Sequence, residues 1–129
     1  VPDKQAQARL KKDLVIWLVT CGRDGHPHAV PVWFLWAGNS FLIYSVPGQK
    51  VLDIEANANV ALHLNTDPEG EHVVRVDGLA KIDPKQSPAS RVPSYIRKYG
   101  ELIKRYDWTP QVFSEQYHVA IRVQPTRYH

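Results

Sequence analysis

Hydrophobic and polar positions follow the two-residue rhythm of strands along most of the chain and switch to helical spacing in only a few places. Residues 3–12 are rich in helix formers and lead, past Asp13, into a β-branched and aromatic run at residues 14–20, so a short helix is predicted to feed a first strand. The Asp24-Gly25 step is a hairpin signal, and residues 29–36 read as a second strand antiparallel to the first. Pro31 cannot donate to a ladder. Its stretch therefore belongs at an edge, at a bulge, or where something other than a strand meets the backbone.

After a turn at residues 37–39, residues 40–45 form a third strand, expected to pair with the second as a meander. Residues 46–49 are a loop. In residues 50–57 the apolar Val51, Leu52 and Ile54 take helical spacing, with Asn57 as terminator. Residues 59–65 return to strand, residues 67–71 are a polar loop, and residues 72–82 form a fifth strand interrupted at Asp77-Gly78, a barrel-corner signal. Residues 88–105 carry Val92, Tyr95, Ile96, Tyr99, Leu102 and Ile103 on one helix face, which should pack on the barrel. Thr109 is the predicted N-cap of a further helix, with Pro110 in its first turn, and a last strand runs from Tyr117 to about Val123. The expected architecture is mainly β: a six-stranded antiparallel barrel with three or four short peripheral helices in one domain, residues 1–129.

Alternation also says which faces need covering. Val30, Val32, Phe34 and Trp36 point one way while Trp33 and Leu35 point the other, and the first strand sets Val15, Trp17, Val19 and Cys21 against Ile16 and Leu18. Both faces are apolar. A few helices cannot cover every outer face, so a homodimer is expected to bury the surplus, the alternative being helices packed there instead.

Composition narrows the class. Hydrophobic residues make up 43% and charged residues 22%, the balance of a globular protein, and no apolar run reaches membrane-span length. The first residues lack a signal-peptide core, which makes a cytoplasmic location the expectation. The formal charge of +3 allows nucleic acid, a membrane surface or an anionic small molecule as partner. A single-strand nucleic-acid barrel would expose its aromatics among basic residues, whereas Trp17, Trp33 and Trp36 lie in apolar strands, so neither nucleic acid nor membrane is expected. Cys21 is the one cysteine, read as a small buried hydrophobe without chemistry.

Candidate chemistry is sparse. No acid–base pair, activated nucleophile or metal cluster shows convincing local spacing, so the catalytic residues are unknown and no metal ligand is assigned. His26 and His28 form the only close histidine pair, read as exposed turn sequence with no carboxylate completing it, and His63 as a strand histidine. The segment Tyr44-Ser45-Val46-Pro47-Gly48-Gln49-Lys50 combines a hydroxyl at a strand end, a glycine loop and a lysine where a helix begins, as a phosphate site requires, but lacks the spacing of a nucleotide-triphosphate loop. The chain thus reads as a binder of a reactive cofactor.

Taken in order, Ala29-Val30-Pro31-Val32-Trp33-Phe34, Tyr44-Ser45, Gly48-Gln49-Lys50, Asn57-Ala58-Asn59-Val60-Ala61-Leu62 and Val76-Asp77-Gly78-Leu79-Ala80 resemble the split-barrel pyridoxamine 5'-phosphate oxidase-like superfamily. The Pro31-Val32-Trp33-Phe34 step looks most like the branch of oxidoreductases that uses the deazaflavin coenzyme F420. The resemblance runs from about Leu10 to Ile82, and more loosely beyond. It implies a dimeric split barrel in which Lys50 and Ser45 hold the cofactor phosphate with help from Gln49. It further implies that Val30, Pro31, Val32 and Trp33 line the ring edge, that Tyr44 lies close to it, and that partner-subunit residues near His63 or Trp108 close the pocket. The implied activity is hydride transfer to a small organic acceptor such as an enone or quinone, with FMN as the alternative cofactor and a non-catalytic flavin-binding module as the alternative role. Enzymes that oxidise vitamin B6 phosphate carry an arginine where Ala29 falls and extend beyond this sequence's end, so that activity is not expected. Asp53 stands where asparagine is common in the superfamily, and the loop before Lys50 looks about one residue shorter than in close relatives.

Overall fold

The computed structural model describes residues 1–129 and contains a single seven-stranded antiparallel sheet with four α-helices around it. Helix α1 (Lys4–Lys12) starts where the Asp3 carboxylate accepts the Ala6 amide at 2.8 Å, and Arg9, Lys11 and Lys12 lie in its last turn, complementing the helix dipole. Strands β1 (Ile16–Cys21) and β2 (Pro27–Val32) make the expected hairpin, with Trp17 opposite Pro31 and Val19 opposite Ala29. Then come β3 (Leu35–Trp36), β4 (Phe41–Ser45), α2 (Gln49–Ala56), β5 (Asn59–Leu64) and β6 (Arg75–Ile82). A 3₁₀ turn at Ala89–Arg91, α3 (Pro93–Arg105), α4 (Pro110–Gln116) and β7 (Val119–Tyr128) complete the chain. As expected, Thr109 caps α4 by accepting the Val112 amide, and the Asn57 amide closes α2 on the Asp53 carbonyl at 2.8 Å.

The stretch expected as one strand over residues 29–36 is two, which raises the count from six strands to seven. Trp33 and Phe34 leave the ladder between them. The Phe34 amide donates to the Tyr99 hydroxyl at 2.8 Å and its carbonyl accepts from Lys98 Nζ at 2.8 Å, so side chains of α3 replace a strand as its partners. The expected meander is therefore only half present: Leu35 and Trp36 pair with Leu42 and Phe41, whereas β2 pairs with β1.

Sheet order β2-β1-β5-β6-β7-β4-β3 puts two strands that are consecutive in sequence at opposite edges. Val32 and Leu35 are three residues apart, a reach of roughly 10 Å. The sheet must curl until its edges nearly meet, which makes a barrel with a seam at residues 33–34. Pro31 lies on an edge strand, one of the positions proline permits. The corner falls at Gly78, where the β6–β7 register shifts and an added Cβ would come within 2.7 Å of Val123 Cγ1 and 2.9 Å of the Gln124 carbonyl.

Two apolar clusters follow from the curl. Inside the barrel Leu10, Ile16, Leu18, Phe34, Phe41, Ile43, Leu62, Leu64, Val76, Ile121 and Val123 pack together. Each fully buried aliphatic or aromatic side chain of this kind contributes about 1.5–3 kcal/mol. Outside it, Leu42, Tyr44 and Ala120 meet Tyr95, Tyr99 and Ile103 of α3 and Phe113 of α4, with Trp33 and Leu35 against them. The helices thus cover the Trp33 and Leu35 face, one of the two apolar faces. They leave bare the outward face of β1, β2 and β5, where Trp17, Val19 and Ala61 are half-buried and Ala29 and Pro31 exposed. Cys21 belongs to that face and is half-exposed rather than buried. No helix is long and apolar enough to cross a membrane.

Candidate functional site

At the seam the ends of β2 and β4 face α4 and the turn before it, enclosing a cleft of about 400 Å³ lined by Pro31, Val32, Trp33, Tyr44, Ser45, Val46, Lys50, Tyr106, Trp108, Phe113 and Tyr117. Its walls are aromatic for a local reason: Phe113 and Tyr117 are one helical turn apart and stack at 4.7 Å, and Trp33 stacks on Phe113 at 5.5 Å and on Tyr99 at 4.7 Å. Trp108 approaches both Phe113 and Tyr117 at 6.0 Å, carried there by a turn in which Asp107 takes a left-handed conformation.

Lys50 supplies the cleft's only charge. The chain's ion pairs, Arg9–Asp13, His28–Asp53, His72–Asp67 and His129–Asp77, leave it without an acidic partner. Partial burial pulls its ammonium below the ordinary lysine value by desolvation, a cost that a bound anion would offset. Gly48 caps α2 without a side-chain hydrogen bond, and its carbonyl serves the Val51 and Leu52 amides at 3.1 and 3.2 Å. The earlier amides of Gln49 and Lys50 have no acceptor within the helix. Cation and helix dipole therefore act at the same end.

The hydroxyls beside Lys50 are already engaged. Ser45, 1% exposed, donates to the Val46 carbonyl at 2.5 Å, so serving an anion means giving that bond up. Tyr44 donates to the Ser87 carbonyl at 2.6 Å, and burial pushes its phenol pKa up, leaving the ring as wall and the hydroxyl protonated.

Of the residues singled out from sequence, the cleft brings together Pro31, Val32, Trp33, Tyr44, Ser45, Lys50 and Trp108. Val30 points into the barrel beside Leu18 and is not among the lining residues. His63 lies on the bare outward face, stacked on Trp17 at 6.1 Å, and reaches this cleft in no way within one chain. Gln49 turns to the other side of α2, where its amide donates to Asp53 Oδ1 at 2.8 Å. Val46, Tyr106, Phe113 and Tyr117 were not anticipated. For Phe113 and Tyr117 the one signal is their i,i+4 aromatic spacing at α4, which reads equally as core packing; Val46 and Tyr106 carry none. His28, which reads in sequence as exposed turn with no carboxylate completing it, places its Nδ1 2.8 Å from Asp53 Oδ2 across the barrel mouth. Away from the cleft, Asp67, Glu71 and His72 hold potential ligand atoms within 4.8 Å of one another on an exposed loop.

Comparison with known sequences gives this fold and cleft a lineage, since the family described as pyridoxamine 5'-phosphate oxidase matches residues 2–129. The chain belongs to that family. Among solved structures, an F420 Reductase superposes over 100% of this chain and 98% of its own at 27% identity, TM-score 0.71. A FAD-binding protein from Mesorhizobium loti does so over 99% and 90% at 21% identity, TM-score 0.69, and HutZ, the heme storage protein from Vibrio cholerae, over 97% and 90% at 12% identity, TM-score 0.66. The last two share the fold alone. The Rhizobium meliloti (strain 1021) protein named Uncharacterized protein RA0666 is 35% identical over 46 residues, 36% of this chain and 30% of its own length.

Proposed function

We infer that this family member binds a phosphorylated flavin-type cofactor in the seam cleft, coenzyme F420 in preference to FMN, and works as an oxidoreductase on a small organic acceptor such as an enone or quinone. The observation that carries the reading is the unpartnered Lys50 at one end of an aromatic cleft, beside the start of α2, where no side chain caps the helix. A planar ring system fits between Trp33, Tyr44 and the Trp108–Phe113–Tyr117 wall, and a phosphate suits Lys50. The residues present therefore fit the group. Full-length similarity to an F420 Reductase and the Pro31-Val32-Trp33-Phe34 step favour the deazaflavin. Ala29 in place of an arginine argues against vitamin B6 phosphate as substrate.

Hydride donation is what such a cofactor supplies when bound. The chain's own residues would do the rest: Lys50 anchors the anion, the aromatic walls orient the ring and exclude water, and the Tyr106 and Tyr117 phenols are the lining hydroxyls not committed to a carbonyl. A second reading, a binding module without turnover, draws on the Tyr44 and Ser45 hydroxyls, both committed to carbonyls.

We further read the chain as a homodimer, joined through the bare face of Trp17, Val19, Ala29, Pro31 and Ala61. Titration of purified protein with F420 and with FMN tests the cofactor assignment; binding of neither overturns it. Turnover of an enone or quinone with reduced cofactor separates enzyme from module.

A further inference from the structure

Asp53 is a carboxylate 2% exposed, on the same helix as Lys50 yet facing away from the cleft. It accepts three side-chain hydrogen bonds, each from a different element. Thr20 Oγ1 of β1 donates at 2.7 Å, His28 Nδ1 of β2 lies at 2.8 Å, and Gln49 Nε2 in the first turn of α2 donates at 2.8 Å. Gly22 completes the cradle, since a Cβ there would stand 2.4 Å from Asp53 Oδ1. Thr20, His28 and Gly22 come from the hairpin that also carries Pro31 and Val32 to the cleft.

We propose that Asp53 is the positioning residue of the anion-binding end: through Thr20, His28 and Gln49 it bolts the start of α2 to the β1–β2 hairpin and so fixes Lys50 and the free first-turn amides against the cleft wall. Burial of a carboxylate is costly unless its lone pairs are filled; here Thr20 and His28 of the hairpin fix how α2 sits on β1 and β2, and Gln49 ties the helix's first turn to the same carboxylate. Gln49 thereby serves the anion at one remove. The inference deepens the cofactor reading and rests on it for the identity of the ligand, but the anion end can be tested without a cofactor.

The test compares FMN with riboflavin, which differ only by the phosphate, and adds inorganic phosphate followed through the amide NMR signals of Gln49 and Lys50. Asp53→Ala is expected to weaken FMN at least about tenfold, a loss near 1.4 kcal/mol, while riboflavin stays within about twofold. Asp53→Asn should recover most of the loss. Thr20→Val, which keeps the carboxylate and the side-chain shape, should give a smaller loss of the same selectivity and covers the case in which Asp53→Ala does not fold. Equal losses for FMN and riboflavin, or unchanged phosphate shifts in both variants, overturn the proposal. If the unaltered protein answers to phosphate in a manner dependent on Asp53 but binds no FMN or F420, the flavin reading falls and the positioning role stands. No response to phosphate or to any cofactor overturns both.

Discussion

The Tyr99 hydroxyl receives the amide hydrogen of Phe34 at 2.8 Å and donates toward the carbonyls of Leu14 and Phe34 at 2.8 and 3.0 Å, so one phenol on α3 holds the seam at which the sheet divides. Tyr99 is fully buried. Its replacement by phenylalanine leaves the Phe34 amide without a partner, and about 1–3 kcal/mol of stability should be lost. Urea unfolding checks this, and a midpoint equal to that of the unaltered chain would mean that water or another group takes over.

Lys98, next in sequence, donates to the same Phe34 carbonyl and lies 3.7 Å from the Phe34 ring centre. Burial lowers its pKa from 10.5 to about 8, against a smaller opposing pull from Asp13. Between these values the unfolded chain holds a proton that the folded chain has released, so stability should rise with pH over that window. Urea midpoints at pH 7.5 and 9.5 should climb more for the native sequence than for Lys98→Met; parallel behaviour would refute the assignment.

Asp53 has the opposite sign. Burial raises its carboxyl, but the hydrogen bonds from Gln49, Thr20 and His28, with the His28 charge, outweigh that and hold it below the ordinary 3.8. Its ionised form therefore stabilises the fold above that value, and the contribution disappears as pH falls through the lower folded value. Acid unfolding should be shallower in Asp53→Asn than in the native chain.

Gly78→Ala should destabilise by about 1–3 kcal/mol, because its Cβ would overlap the Val123 side chain and, less forgivingly, the Gln124 backbone. Gly48→Ala meets nothing within 4 Å and should lose only the N-cap preference of glycine over alanine. Thermal or urea unfolding of the two variants should separate them clearly.

Val19→Asp puts a charge in the centre of the bare β1 face, between Ala29 and Ala61. Sedimentation or light scattering should report a dimer for the native chain and a monomer for the variant. A native monomer would end the homodimer proposal.

Much of the local structure was determined by the sequence itself. Period-2 runs gave the strands, the apolar stripe from Val92 to Ile103 gave α3, and Thr109-Pro110, Asn57 and Asp77-Gly78 marked a cap, a stop and a corner, because each of those signals acts within a turn or across one ladder. Ser45 and Lys50 came together for the same reason, lying on one short strand–loop–helix connection.

Only the tertiary structure decided what meets across the curl. Phe34 and Tyr99 are 65 residues apart, His28 and Asp53 are 25, and neither pair leaves a mark in local periodicity. Alternation shows both faces of residues 30–36 to be apolar but not which one the helices take; packing puts α3 and α4 over Trp33 and Leu35. Trp108, Phe113 and Tyr117 become a cleft wall for the same physical reason: closing the sheet brings its two edges, and whatever packs on them, to one seam.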